Sequence, residues 1–274
     1  MDGVFQAVGL KVDWRFAFTF SGLIMARLVM IGATIPFLVG KPVPPTIKMG
    51  FNIVLLIFLY PYLAPVDHSL LPQGPVDLFL LFLKEAFYGI AIGIGASIIF
   101  HAFEAAGDMI DAQRGAAIAR LFMPTGQQSS IFGVFNHLLG IVIFLSLGGH
   151  LLFIKAMVES YQALPILTFP KSFPDMLAIS EQFIRMTGDV MLIALQLTAP
   201  ILISIFVADV ILGIMSKTAP AINVWELGFA VRGILGVVVY FLAIGLIATQ
   251  MGKMSLGMVD QVEKIIRYLS WSGG

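Results

Sequence analysis

Six blocks of the sequence, 14–38, 49–66, 77–100, 131–158, 186–215 and 228–250, are apolar over lengths of roughly a bilayer crossing. A hydrocarbon core of about 30 Å takes roughly 20 residues of helix, so each block is long enough to span it or nearly so. None shows the ten-residue alternation of a membrane barrel. Helices also satisfy their own backbone hydrogen bonds, as lipid requires. The expected fold is therefore all-α: a polytopic integral membrane protein with about six long helices. Composition agrees, with 59% hydrophobic and 12% charged residues and a mean hydropathy of +0.97, against about 45–50% and about 25% in soluble domains.

The first block, starting at Trp14, is too long for a signal-peptide core and reads as a retained span. Pro and Gly punctuate the short connections at 40–46, 60–75 and 165–175. No connection is long or polar enough to divide the chain, so residues 1–274 read as one domain. Met258, Val259, Val262, Ile265, Ile266 and Leu269 recur at helical spacing. They predict an amphipathic helix over 255–271, for a membrane surface or a docking partner.

Net charge is zero, so no basic field would gather nucleic acid. There are no cysteines, which removes disulfides, thiolate metal sites and cysteine nucleophiles and leaves the redox compartment undecided. The basic residues do not orient a six-span chain. Lys11, Lys171, Lys253, Lys264 and Arg267 fall on one side, and Lys41, Lys48, Arg114, Arg120 and Lys217 on the other. Such a tie suggests that the blocks are not a plain six-span bundle.

Charges also interrupt the apolar blocks: Arg15 and Arg27 in the first, Lys84 and Glu85 in the third, Asp209 in the fifth. Each must meet a partner or water, although Arg15 and Lys84 could instead snorkel to the interface. Gly89 with Gly93, and Ala91 with Gly95, form two small-residue faces that allow close helix packing. Spacing permits Asp209 to pair with Arg232 on the last long segment.

The densest polar stretch is EAAGDMIDAQRGAAIAR, residues 104–120. At 100° per residue His101, Glu104, Asp108 and Asp111 share a helix face. The set reads as a metal site, an ion-coupling site or a polar helix outside lipid. The first lacks a second ligand cluster. The third gains from Gln113, Arg114 and Gly115, and from the small, polar run MPTGQQSS (123–130). No HExxH, GxGD or GxSG element occurs, and the histidines lack ligand spacing. No enzyme and no cofactor is expected.

AGDMIDAQRGAA (106–117), MPTGQQSSIFG (123–133) and GGHLLFIKAMVESY (148–161), followed by ADVILGIMSKTAPAINVWELGFAVRG (208–233), together resemble the FliR/SctT family. The resemblance runs from about residue 14 to 250. It implies a core component of the bacterial type III export apparatus in the inner (cytoplasmic) membrane, at the base of a flagellum or injectisome. It implies assembly with FliP/SctR-type and FliQ/SctS-type subunits into a pore for exported protein substrates, with FlhB/SctU-type and FlhA/SctV-type proteins nearby. Family members stand largely raised out of the bilayer plane, which would explain the charge tie and the interrupted blocks.

The family's plug-forming loop maps here to Ala117–Ser130, giving Ala117, Arg120, Phe122, Met123, Pro124, Thr125, Gly126, Gln127, Gln128 and Ser129 as gating candidates. Glu104, Asp108, Asp111, Gln113, Arg114, Gly115, Asp209, Lys217, Pro220, Asn223 and Arg232 carry the motifs and are assembly candidates. Arg114 would pair with Asp111 or with a carboxylate of a partner chain. Asp111–Gly115 is similar to the DxQRG of injectisome members, and Ser160-Tyr161 also fits them. Leu164 stands where a tryptophan is common, and Gly149-His150 resembles the flagellar branch. The injectisome branch is favoured. An ion-coupled small-solute transporter using Glu104, Asp108 and Asp209 is the alternative, although no internal repeat supports it. A structural scaffold without a pore role is a third reading.

Overall fold

The computed structural model describes residues 14–39, 43–63, 70–72, 74–115, 130–169, 176–219, 221 and 223–270. Among these the chain is mostly helical, without strands. Eight helices follow in order: α1 (Trp14–Thr34), α2 (Pro36–Val39), α3 (Pro45–Leu63), α4 (Pro75–Gln113), α5 (Ile131–Ser146), α6 (Gly149–Ala163), α7 (Met176–Thr218) and α8 (Val224–Leu269). Five of them are long and apolar enough to cross a membrane, or six crossings if the broken pair α5–α6 is one span. The all-α polytopic expectation is met.

The helices outrun the apolar blocks. α4 continues from the third block through the polar stretch to Gln113, and α7 and α8 reach 43 and 46 residues. Proline does not end them: Pro61 lies inside α3 and Pro200 inside α7. The fourth block, expected as one segment over 131–158, is instead broken. Gly148 takes φ +73°, a conformation that side-chain-bearing residues disfavour. The Leu147 and Gly148 amides close the end of α5 on the carbonyls of Ile143 and Leu145. The predicted C-terminal amphipathic helix is the last part of α8. Its six apolar residues are all buried within this chain, not held for a membrane surface or partner.

Contacts group the chain into two compact units, 1–97 with 151–181 and 261–274, and 98–150 with 182–260. In the first, the two small-residue faces of α4 receive different neighbours. Gly89 and Gly93 lie against Arg27, Met30, Ile31 and Thr34 of α1, and Gly95 lies against Val262 and Ile265 of α8. A Cβ at Gly89 would sit 2.6 Å from the Arg27 carbonyl oxygen, which is backbone and cannot turn aside. At Gly95 the close contact would be with the methyl end of the Ile265 side chain. Gly89→Ala is therefore expected to destabilise the chain by about 1–3 kcal/mol. Gly95→Ala is expected to cost less, because what must shift is a side-chain methyl end and not backbone, and alanine favours helix. The thermal unfolding midpoints of the two purified variants in detergent check the contrast.

Candidate functional site: two polar centres in an apolar chain

In the first unit Arg27, fully buried in α1, ties together polar groups of α4 and of the end of α6. Its Nε donates to Glu85 Oε2 of α4 at 2.7 Å. Its Nη1 donates to Ser160 Oγ of α6 at 3.2 Å, and its Nη2 to the Leu164 carbonyl at 2.9 Å. The guanidinium lies over the ring of Tyr161, 4.1 Å from its centroid. The Tyr161 hydroxyl donates in turn to the Ile24 carbonyl at 3.1 Å.

Lys84 does not snorkel. Its side chain is 8% exposed, and its ammonium donates to the carbonyls of Pro165, Ile166 and Thr168 at 2.8–2.9 Å. A lysine has three protons, and all three are committed to these carbonyls. Glu85 Oε1, 3.1 Å from Lys84 Nζ, therefore feels the charge but receives no hydrogen bond among the described residues. Two cations thus face one carboxylate. The remaining positive charge is met by the carbonyls just past the end of α6, where the helix dipole is negative.

The second centre holds the described ends of the 104–133 region together. Asp111, near the end of α4, is buried. Its Oδ2 accepts from the Ser130 hydroxyl at 2.6 Å and from the Phe132 amide at 3.1 Å. Ser130 caps α5 by accepting from the Gly133 amide at 2.9 Å, which satisfies one of the helix's unpaired donors. Gly107 packs directly on the Phe132 carbonyl, leaving no room for a side chain.

Arg114 Nη1 lies 3.4 Å from Asp111 Oδ1, and its guanidinium sits over the Phe132 ring at 4.8 Å. Its aliphatic stem rests on Gly236 of α8, and the ring of Phe229 rests on Gly115, where φ is +78°. Phe132 also meets the ring of Tyr240, whose hydroxyl donates to Asn136 Oδ1 at 2.5 Å.

The polar face expected over 101–111 separates by environment. Asp111 is enclosed, Asp108 is exposed, and Glu104 is half-buried. Glu104 Oε2 lies between His101 Nδ1 at 3.5 Å and His137 Nδ1 at 3.8 Å. No group of three or more His, Asp or Glu among the described residues is placed to hold a metal ion.

Gln113 and Lys217 are exposed. Asn223 caps α8, with its Oδ1 accepting from the Glu226 amide at 3.4 Å. Asp209 and Arg232 meet at 2.6 Å between α7 and α8. Ala117, Arg120, Phe122, Met123, Pro124, Thr125, Gly126, Gln127, Gln128, Ser129 and Pro220 lie outside the described residues. In the sequence Arg27, Lys84 and Glu85 stand as separate interruptions, and only the packed helices join them into a site. Opposite charges in two apolar segments were the available signal, because neither tolerates lipid alone.

Residues 18–258 match the bacterial export proteins, family 1, a stretch that includes both polar centres. The chain is 31% identical over 252 residues to the Yop proteins translocation protein T of Yersinia pestis, covering 90% of this chain and 94% of that protein. It is 30% identical over 216 residues to the flagellar biosynthetic protein FliR of Bacillus subtilis, covering 77% and 80%. With the surface presentation of antigens protein SpaR of Shigella flexneri it shares 26% identity over 228 residues, covering 79% and 81%. These are export proteins, and the non-enzymatic reading rests on that. By the extent of the family match, the chain belongs to the FliR/SctT family of type III export-apparatus membrane proteins.

Proposed function

We propose that this chain is a core subunit of the type III export gate in the bacterial cytoplasmic membrane. With FliP/SctR-type and FliQ/SctS-type subunits it forms the pore through which unfolded proteins leave the cell. FlhB/SctU-type and FlhA/SctV-type proteins stand nearby. The observation that carries the reading is the length of the match, residues 18–258, to a family of export proteins. The surface supports it. Only 11% of the apolar window of α3 and 17% of that of α8 is buried, against 67% for α4. Such uncovered helices suit a subunit surrounded by the helices of other membrane proteins.

The injectisome branch is favoured. Asp111–Gly115 and Ser160-Tyr161 support it, as does the 31% identity to the Yop translocation relative over 90% of the chain. In this reading Ala117–Ser130 contributes to the plug of the pore, and Asp111, Ser130 and Arg114 form its stem. The transporter alternative asks for Asp209 as an ion-binding carboxylate, a role that its bond to Arg232 disfavours.

Extracted from its native host in mild detergent under a tag, the chain is expected to run within a large hetero-oligomer containing two smaller membrane proteins. Cysteines introduced at 117–129, in a chain that has no native cysteine, should then crosslink to those partners across the pore. A monomer or homodimer that takes up a solute on reconstitution would overturn the proposal.

A further inference from the structure

Asp209 and Arg232 sit in surroundings unsuited to charge. Asp209 is the only charged residue from Val190 to Ser216, and Arg232 the only one from Leu227 to Gly252. Their neighbours Phe206, Val210 and Ile234 are exposed apolar side chains, so this is not an aqueous face. Lys217, Glu226 and the exposed Trp225 gather where α7 gives way to α8, the residue types that favour a polar boundary. Asp209 lies eight residues before Lys217 and Arg232 seven after Trp225, about 10–12 Å of helix at 1.5 Å per residue. That places the pair well inside the apolar zone, whether lipid or protein surrounds it.

The pair does not satisfy itself. Each side chain remains 35% exposed. Only Arg232 Nε is bonded, to Asp209 Oδ1 at 2.6 Å; the four terminal N–H donors of the guanidinium find no acceptor among the described residues. Unmatched donors in apolar surroundings are expensive, and a guanidinium presents them in a fixed plane.

We infer that the outward edge of Arg232 is a docking point for a membrane helix of a neighbouring subunit, one that presents a side-chain hydrogen-bond acceptor within an otherwise apolar face. Asp209 orients the guanidinium through Nε and leaves its terminal nitrogens directed at that helix. The inference rests on the assembly proposed above and adds the chemistry of one contact in it.

The test uses the tagged chain expressed with its partners. Complex is read as the high-mass fraction on a native gel, and folding as the chain's abundance and protease resistance. Arg232→Lys keeps a cation for Asp209 but loses the planar terminal donors. It is expected to leave folding unchanged and to lower the high-mass fraction about tenfold, the scale of one charge-assisted contact. The exchange Asp209→Arg with Arg232→Asp restores the internal pair while removing the donor from position 232. It should fold better than either single exchange and still assemble poorly.

If Arg232→Lys or the double exchange assembles as well as the wild type, the pair is an internal staple and the inference falls while the export-gate reading stands. If the wild-type chain itself enters no hetero-oligomer, both fall. Gly213→Cys, one turn beyond Asp209 with open space at its Cβ, should resist a small hydrophilic thiol reagent in the complex. Its labelling there would mean a water-filled face and would overturn the inference.

Discussion

Arg27→Ala is expected to destabilise the chain by about 3–5 kcal/mol, the usual effect of removing one partner from a buried ion pair. Marginal stabilities of about 5–15 kcal/mol leave little reserve against such a loss, so the variant should fail to accumulate in the membrane. The reason lies with what remains. Glu85 is fully buried, and its Oε2 would lose its hydrogen-bond donor, while Oε1 already lacks one among the described residues. Ser160 Oγ and the Leu164 carbonyl lose a donor at the same time.

Removing both charges should be milder than removing one. Arg27→Met with Glu85→Met replaces the pair by apolar side chains, and Lys84 keeps its three carbonyls. Buried pairs replaced in this way are often neutral or nearly so. The comparison is made by membrane-fraction abundance and by the thermal midpoint of the detergent-purified chain. An Arg27→Ala chain that accumulates and melts as the wild type does would show that the pair does not hold the first unit together.

That centre also marks where sequence reading stops. Hydropathy located the spans because lipid imposes a length on every crossing helix; α4, α7 and α8 each include a whole anticipated block, and α1 and α3 cover most of one. Hydropathy registers a charge inside a block only as an interruption, however. Lys84 and Glu85 therefore looked like damage to a lipid-facing helix, when they are interior groups of a helix that continues for 39 residues. Their partners, Arg27 at 58 positions from Glu85 and the carbonyls of 165–168, become neighbours only when the helices pack.

The break between α5 and α6 has a different origin. Gly148-Gly149 was visible in the sequence, but an apolar run continues across it, and periodicity cannot see a backbone turning to positive φ. The small-residue faces of α4 were legible as contact surfaces. Which helix filled each one was not, since α1 and α8 offer the same kind of side chain. Helical spacing likewise grouped Asp111 with Asp108, yet the burial of one and the exposure of the other depend on where α5 begins.

Asp111→Ala is the substitution expected to do most damage in the second unit. Asp111 Oδ2 is the acceptor of both the Ser130 hydroxyl and the Phe132 amide. Each buried donor left unmade costs about 1–3 kcal/mol, so the loss should be on the order of 2–6 kcal/mol. Arg114 would also lose its nearest carboxylate while remaining four-fifths enclosed.

The effect should reach α5 through its cap. Ser130 Oγ accepts from the Gly133 amide at the same time as it donates to Asp111. Freed from Asp111, the serine is no longer held in the geometry that starts the helix. Asp111→Asn separates packing from charge. An amide oxygen placed at Oδ2 keeps both accepted bonds, while the amide nitrogen, a donor, then faces Arg114.

The asparagine chain is accordingly expected to accumulate better than the alanine chain. If the stem matters for export as proposed, it should still secrete less than the wild type. Chain abundance with secreted-protein yield, measured on the same cells, distinguishes these effects. An alanine chain that is as abundant and as active in secretion as the wild type would mean that the Asp111–Ser130 tie supports neither the fold nor the gate.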